Sequence, residues 1–253
     1  MGSLKNKNAI VTGTSQGIGA AIALHLIQAG CNIGMHYYHQ KDEPEKMKKL
    51  AEANGQKAVC IQADLTKESN VNQCIRELTQ ELGTIDILVN NTGSLVERRY
   101  LNELDKAYWD KLIDINMTSM MMVTRELYSH FNTQRGSSII NVASLAGRKG
   151  GHLGSLVYST TKGAVITWSR SLSTELAPSG IRVNAVAPGF IEGTRFHNTH
   201  TTPESAKQTI DGIPLGRSGC PDDVARAVTF LASEYDGFIT GITMDINGGV
   251  YAA

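Results

Sequence analysis

Apolar and polar positions fall in a repeating alternation along the chain. A short apolar run is followed by a longer segment in which apolar residues recur every three or four positions. The first run is "NAIV", Asn8 to Val11. In the segment after it, "GIGAAIALHLIQAG", Ile18, Ile22, His25, Leu26 and Ala29 share one helical stripe, and Gly30 ends it. The pattern then repeats. "NIGMHY" precedes a helix near Pro44 to Asn54, and "KAVCIQ" a helix near Glu68 to Leu82. "DILVN" precedes a helix from about Asp105 to Asn132, and "SIINVA" a helix that runs to about Leu176. "IRVNAVA" follows, then a long irregular stretch from Pro188 to Pro214, a helix starting near Pro221 and a last run, "ITMDI". Parallel strands need crossover connections, and helices are the usual ones. The alternation therefore predicts an α/β fold: one doubly wound, parallel, seven-stranded Rossmann-like sheet with helices on both faces, in a single domain over residues 1–253.

Length and charge narrow this picture. A chain of 253 residues supports a sizeable core. Its 24 Lys and Arg balance 24 Asp and Glu, and neither a basic tract nor an acidic tail argues for a nucleic-acid partner. Cys31, Cys60, Cys74 and Cys220 are scattered without metal-ligand spacing, which reads as reduced thiols in a cytoplasmic protein and predicts no metal. The opening "MGSLKNKNAIVTG" lacks the apolar core of a signal peptide. Asn6 stands where a myristoylation signal wants Ser or Thr, and no apolar run is long enough to span a bilayer, so no membrane partner is expected.

In open parallel sheets, ligands bind beyond the carboxyl ends of the strands. After the first strand comes "TGTSQGIG", where Gly13, Gly17 and Gly19 let backbone approach a pyrophosphate as a helix begins, with Ser15, Gln16 and Ile18 between them. After the second comes "MHYYHQK". No acid stands at Tyr37 or Tyr38 to take a ribose diol, and His36, His39 and Lys41 lie nearby. This favours NADP(H), with NAD(H) as the alternative cofactor; the plain alternative is a surface turn. Asp64, followed by Leu65, either accepts from an adenine amino group or caps the next helix. "NNTG" places Asn91, Thr92 and Gly93 after the fourth strand. Ser144 follows the fifth, and Pro188, Gly189, Ile191 and Thr194 follow the sixth. In "YSTTKGAV", Tyr158 and Lys162 are four apart and share a helix face, where an ammonium favours the phenolate.

Taken in order, these motifs resemble the short-chain dehydrogenase/reductase family over essentially the whole chain. The match runs through T-G-x-x-x-G-I-G (Thr12 to Gly19), Asp64-Leu65, N-N-x-G (Asn90 to Gly93), Asn116 in "DINMTS", Ser144, Tyr158 with Lys162, "IRVNAVAPG", "PLGR" and "DINGG". The resemblance implies a catalytic tetrad of Asn116, Ser144, Tyr158 and Lys162. Tyr158 would be the general acid or base toward a carbonyl or secondary alcohol. Lys162 would lower its pKa and bond the nicotinamide ribose. Ser144 would hold the substrate oxygen, and Asn116 a relay water. Ile191 and Thr194 would meet the carboxamide. This chain departs from the family pattern in three places. Thr92 replaces a usual alanine, "GRKGGHLGS" adds a residue between Ser144 and Tyr158, and Thr194 falls one place late.

The segment "FIEGTRFHNTHTTPESAKQTIDGIP" is expected to be a lid over the pocket, around residues 188–214. Its Phe190, Phe196, His197 and His200 among threonines suit a small polar ketone or a sugar-like polyol. A 3-oxoacyl thioester is the alternative substrate. Carrier-protein reductases of the family place basic residues on two helix ends, where this chain has Arg135 and Ser179. A cofactor-binding regulatory module without turnover is the non-enzyme reading, and a full tetrad argues against it. By resemblance, the helices carrying Met117, Met120, Met121 and Leu127, and Val165, Ile166 and Trp168, would pair into a homotetramer.

Overall fold

The computed structural model describes residues 4–134, 136–194, 202–233 and 237–252. Seven strands form: β1 Asn8–Thr12, β2 Asn32–Tyr37, β3 Ala58–Gln62, β4 Ile87–Asn90, β5 Ser137–Val142, β6 Ile181–Pro188 and β7 Thr243–Ile246. They pair in the order β3-β2-β1-β4-β5-β6-β7, and each pairing is parallel. The chain steps outward from β1 to β3, then returns to place β4 on the other side of β1. That reversal opens a crevice between the ends of β1 and β4. Val11 is level with both Met35 and Val89, so three strands end together at its rim.

Apolar alternation along β1 serves both faces of the sheet. Ala9 and Val11 pack with Ile22 and Leu26 of α1 (Gly17–Gln28) and with Val224 and Val228 of α9 (Pro221–Ala232). Ile10 faces the other way, against Ile75 and Leu78 of α3 (Glu68–Leu82) and Val123 and Leu127 of α5 (Ser119–Leu127). The remaining helices are α2 (Asp42–Ala53), α4 (Lys106–Ile113), the short α6 (Ala146–Lys149), α7 (Leu156–Leu176) and α8 (Pro203–Asp211). No helix is long and apolar enough to cross a membrane among the described residues.

Two elements differ from the sequence reading. The helix expected from Asp105 to Asn132 is interrupted. Asp105 caps α4 by accepting from Tyr108 N at 2.7 Å, but Asp114–Thr118 form one wide π-helical turn before α5. The stretch from Pro188 to Pro214, expected to be irregular, contains α8. Thr202 Oγ1 caps it by accepting from Ser205 N at 3.2 Å, and Pro203 opens it.

Candidate active site

The glycine turn is built by steric need. Gly13 and Gly17 have φ of 74° and 58°, a region that suits glycine. A Cβ on Gly19 would lie 2.1 Å from Gly13 O. No side chain can stand there, so main chain closes on main chain. α1 begins after Gln16 with no side-chain cap and no acid in its first turn. Its first N–H groups and positive dipole end are left for an anion.

β4 is stitched to this turn. Asn91 Nδ2 donates to Thr12 O at 3.0 Å and to Gly13 O at 3.1 Å. Thr12 Oγ1 accepts from Asn91 N at 3.0 Å and Thr92 N at 3.1 Å. Thr92 Oγ1 is buried without a hydrogen-bond partner, and a Cβ on Gly13 would lie 3.2 Å from it. An unsatisfied hydroxyl in a cleft wall fits a polar ligand there.

Ends of β2 and β3 frame the next part of the cleft. His36 is buried. Its Nδ1 accepts from Gly13 N at 3.2 Å, and its Nε2 donates to Ala63 O at 3.0 Å. Both ring nitrogens are used in the neutral form, and burial pushes the imidazole down to about 4. His36 therefore brings no positive charge to a 2′-phosphate, contrary to the sequence expectation. Tyr37 is also corrected. It is buried, its phenol is raised by burial and then by Cys60 and Glu45, and it does not line the cleft. Tyr38, His39 and Gln40 do. So does Lys67, which the sequence reading missed although it lies in "DLTK" just past the end of β3. Asp64 Oδ1 accepts from Thr66 N at 3.0 Å and Thr66 Oγ1 at 2.7 Å, while Asp64 and Leu65 both line the cleft.

Beyond β4 the wall changes to reactive side chains. Ser144 follows β5, its Oγ accepting from Ala146 N at 3.1 Å. It hydrogen-bonds Tyr158 in the first turn of α7. Burial pushes the Tyr158 phenol up to about 12, and the Ser144 bond opposes the shift. Lys162 is one turn further on and buried. Its Nζ lies 5.8 Å from the centre of the Tyr158 ring and donates to Val142 O at 2.7 Å. Burial lowers this ammonium to about 8. Desolvation dominates both groups in this arrangement, with the ammonium held at Val142 O.

Asn116 stands apart from the other three. It is buried in the π-helical turn and does not line the cleft. Its Oδ1 accepts from Ser94 N at 3.0 Å, and its Nδ2 donates to Ser94 O and Leu112 O, both at 2.9 Å. Both amide hydrogens are spent on main chain, so this side chain fixes the segment after β4. A Cβ on Gly93 would lie 2.8 Å from Asn116 Oδ1 and 3.0 Å from Lys162 Nζ. Gly93 thus leaves the gap through which Lys162 reaches the cleft.

Pro188, Gly189, Ile191 and Thr194 close the wall beyond β6. Thr194 Oγ1 donates to Ile191 O at 3.0 Å, and its Cγ2 is 3.4 Å from the position a Cβ would take on Gly17. The base of the expected lid thereby meets the glycine turn. Together these residues line one cleft of about 1500 Å³. A family model described as enoyl-(acyl carrier protein) reductase matches residues 13–251, from the glycine turn to the last residues after β7.

The chain belongs to the short-chain dehydrogenase/reductase family.

This member of the family is an oxidoreductase acting between C=O and CH–OH. It is similar to the 3-oxoacyl-[acyl-carrier-protein] reductase FabG of Staphylococcus epidermidis, with 38% identity covering 97% of this chain and 99% of that protein. A short-chain dehydrogenase from Burkholderia cenocepacia, solved in complex with NADP, superposes with a TM-score of 0.91 at 29% identity, covering 99% of this chain and 100% of that one. An NADH-dependent reductase responsible for alginate metabolism gives a TM-score of 0.87 at 29% identity, over 99% of both chains.

Proposed function

We propose that this short-chain dehydrogenase/reductase uses NADP(H) to interconvert a carbonyl and a secondary alcohol on a small polar ketone or sugar-like substrate. The observation that carries the reading is that Ser144, Tyr158 and Lys162 line the same cleft as the glycine turn. That turn and the open N-terminus of α1 suit a pyrophosphate. Lys67, Tyr38, His39 and Gln40 on the cleft wall, with no carboxylate at positions 37 and 38, support a 2′-phosphate. Gly93 gives the flat room a nicotinamide needs, and Ile191 and Thr194 line the same cleft.

Bound nicotinamide supplies or accepts the hydride. The protein's part is the proton. A phenol at about 12 is protonated at neutral pH, so Tyr158 is ready to donate toward a carbonyl oxygen. Ser144, already bonded to Tyr158, shares that oxygen and stabilises the charge that grows on it. Lys162 is placed to neutralise the phenolate left behind. Swinging Nζ from Val142 O toward the ring oxygen would bring it into reach. In the oxidation direction the phenolate takes the proton back.

Residues 188–214 serve as the lid in this reading, supported by Ser205, Gln208, Thr209 and Ile213 on the cleft wall. Phe196, His197 and His200 lie outside the described residues. Exposed Trp109, Tyr128 and Leu156, on and beside α4, α5 and α7, support a homotetramer. A second reading, reduction of a 3-oxoacyl thioester, is favoured by the likeness to FabG. Of its two docking positions, Arg135 lies outside the described residues, and Ser179 lies in the turn after α7 and brings no charge. NADPH oxidation over a panel of small ketones, ketoses and acetoacetyl thioesters tests both. Turnover confined to thioesters would overturn the first reading. No turnover of any carbonyl would leave only a cofactor-binding module.

A further inference from the structure

The reacting end of the cleft carries two cations and an imidazole that the proton chemistry does not use. Arg98 lies in the loop after β4, and Lys149 and His152 lie between β5 and α7; all three line the cleft with Ser144 and Tyr158. The two loops are tied together. Arg99 N donates to Gly154 O at 3.0 Å, and Arg98 Nη1 donates to Leu153 O at 2.9 Å. A Cβ on Gly154 would lie 2.9 Å from Arg98 Cβ, so the loops touch without a side chain between them. The second loop is also fixed to the start of α7, where Ser155 Oγ donates to His152 O at 2.5 Å. His152 is therefore held four residues before the helix that carries Tyr158. After partial burial, Arg98 and Lys149 are what depress the His152 imidazole, so all three share one field.

Among the described residues, no carboxylate pairs with Lys149 or His152. Of the acids on the cleft wall, Asp64 lies at the β3 end, Asp110 is held by Lys106 at 2.7 Å, and Asp114 belongs to the π-helical turn. Sheet order also separates these groups from the expected site of the cofactor's phosphates. Lys67 and the glycine turn serve β1 to β3, whereas Arg98 follows β4, and Lys149 and His152 follow β5 on the far side of β4.

We propose that Arg98, Lys149 and His152 recognise an anionic group, a carboxylate or a phosphate ester, carried by the carbonyl substrate. A guanidinium fork and an ammonium at one rim match an anion's oxygens. A group bound there is held beside Ser144 and Tyr158, and so positions the carbonyl of the same molecule. The inference rests on the oxidoreductase reading and adds the substrate's charge.

The test compares matched carbonyls with NADPH: acetoacetate against methyl acetoacetate, and dihydroxyacetone phosphate against dihydroxyacetone. The anionic member of one pair is expected to have the higher kcat/KM, on the order of tenfold, and the pair that shows it tells carboxylate from phosphate. Lys149→Gln should lower kcat/KM for that anionic member about fivefold more than for its neutral partner, as befits one exposed cation. Added salt should shrink the preference. Neutral members reduced as well as the anions in both pairs, or a Lys149→Gln variant that lowers both members alike, would overturn the proposal and leave the oxidoreductase intact. If no carbonyl is reduced, calorimetric titration of malonate and inorganic phosphate decides. Binding to the wild-type protein that weakens in Lys149→Gln supports the anion site, and equal or absent binding overturns it.

Discussion

Around Gly13, Gly17 and Gly19 the cleft wall is mostly main chain; around Ser144, Tyr158 and Lys162 it is side chain. In the first region the ionisable group nearest the turn, His36, is kept neutral by two hydrogen bonds and burial, and serves as a strut under Gly13. In the second, burial acts on two reactive groups of opposite type. It drives the Tyr158 phenol up and the Lys162 ammonium down, each toward its neutral form. The same desolvation thus makes scaffolding in one place and keeps the proton on Tyr158 in the other. Substitutions should accordingly fail by geometry on one side and by chemistry on the other.

Tyr158→Phe is the sharpest break. Removing one hydroxyl takes the proton donor and leaves the ring that fills the wall. Turnover should fall about 10³-fold or more, while NADPH affinity, followed by fluorescence titration, changes little. Parallel loss of both would move Tyr158 to the scaffolding side of the contrast. Gly19→Ala should do the reverse. Its methyl would meet Gly13 O, and two main-chain segments cannot part without opening the turn. A cost of about 3 kcal/mol in urea unfolding is expected, at the upper end for overpacking, together with a loss of cofactor affinity. A variant that stays stable and binds normally would show that the close approach is not required.

His36 gives the next effect. Its folded pKa, about 4, lies below the ordinary 6.5. Between those values the unfolded chain binds the proton and the folded one does not, so stability is full above about 6.5 and is lost as pH falls toward 4. The loss should be about 3 kcal/mol, read from urea melts across that window. His36→Gln should flatten that slope. An unchanged slope would assign the acid sensitivity to other groups.

The contrast was only partly legible in the sequence. Strands were readable because buried parallel strands are short apolar runs bounded by polar turns, as "ILVN" shows with all four residues buried. Glycines were readable because their spacing reflects a steric demand that no other residue meets. The helix at Pro203–Asp211 was hidden because it is short, mostly polar and buries no residue. The π-helical turn was hidden because one extra residue in a turn leaves local composition unchanged. Tyr37 was chosen by its position along the chain, although side chains alternate along a strand. His36 faces the cleft, so Tyr37 must face away. For Tyr158 and Lys162 the shared helix face was correctly inferred, but burial depends on the whole fold. Burial is the largest influence on both groups here.

Asp64 stands at the β3 end of the cleft, and its substitution is expected to have the smallest effect. One carboxylate oxygen, Oδ1, already holds Thr66 N and Thr66 Oγ1, which accounts for its turn-forming role. If the other oxygen accepts from the adenine amino group, Asp64→Asn separates the roles. The amide oxygen can keep both Thr66 bonds, but an NH₂ then faces the adenine amino group, donor against donor. Cofactor affinity should fall about fivefold, the scale of one lost hydrogen bond, with little change in Tm. Asp64→Ala should lose the Thr66 bonds as well and lower Tm. An Asp64→Asn protein that binds NADPH as tightly as wild type would leave Asp64 a turn residue only. Recognition at the adenosine end would then rest on main chain, Leu65 and Lys67, which would widen the difference between the two halves of the cleft.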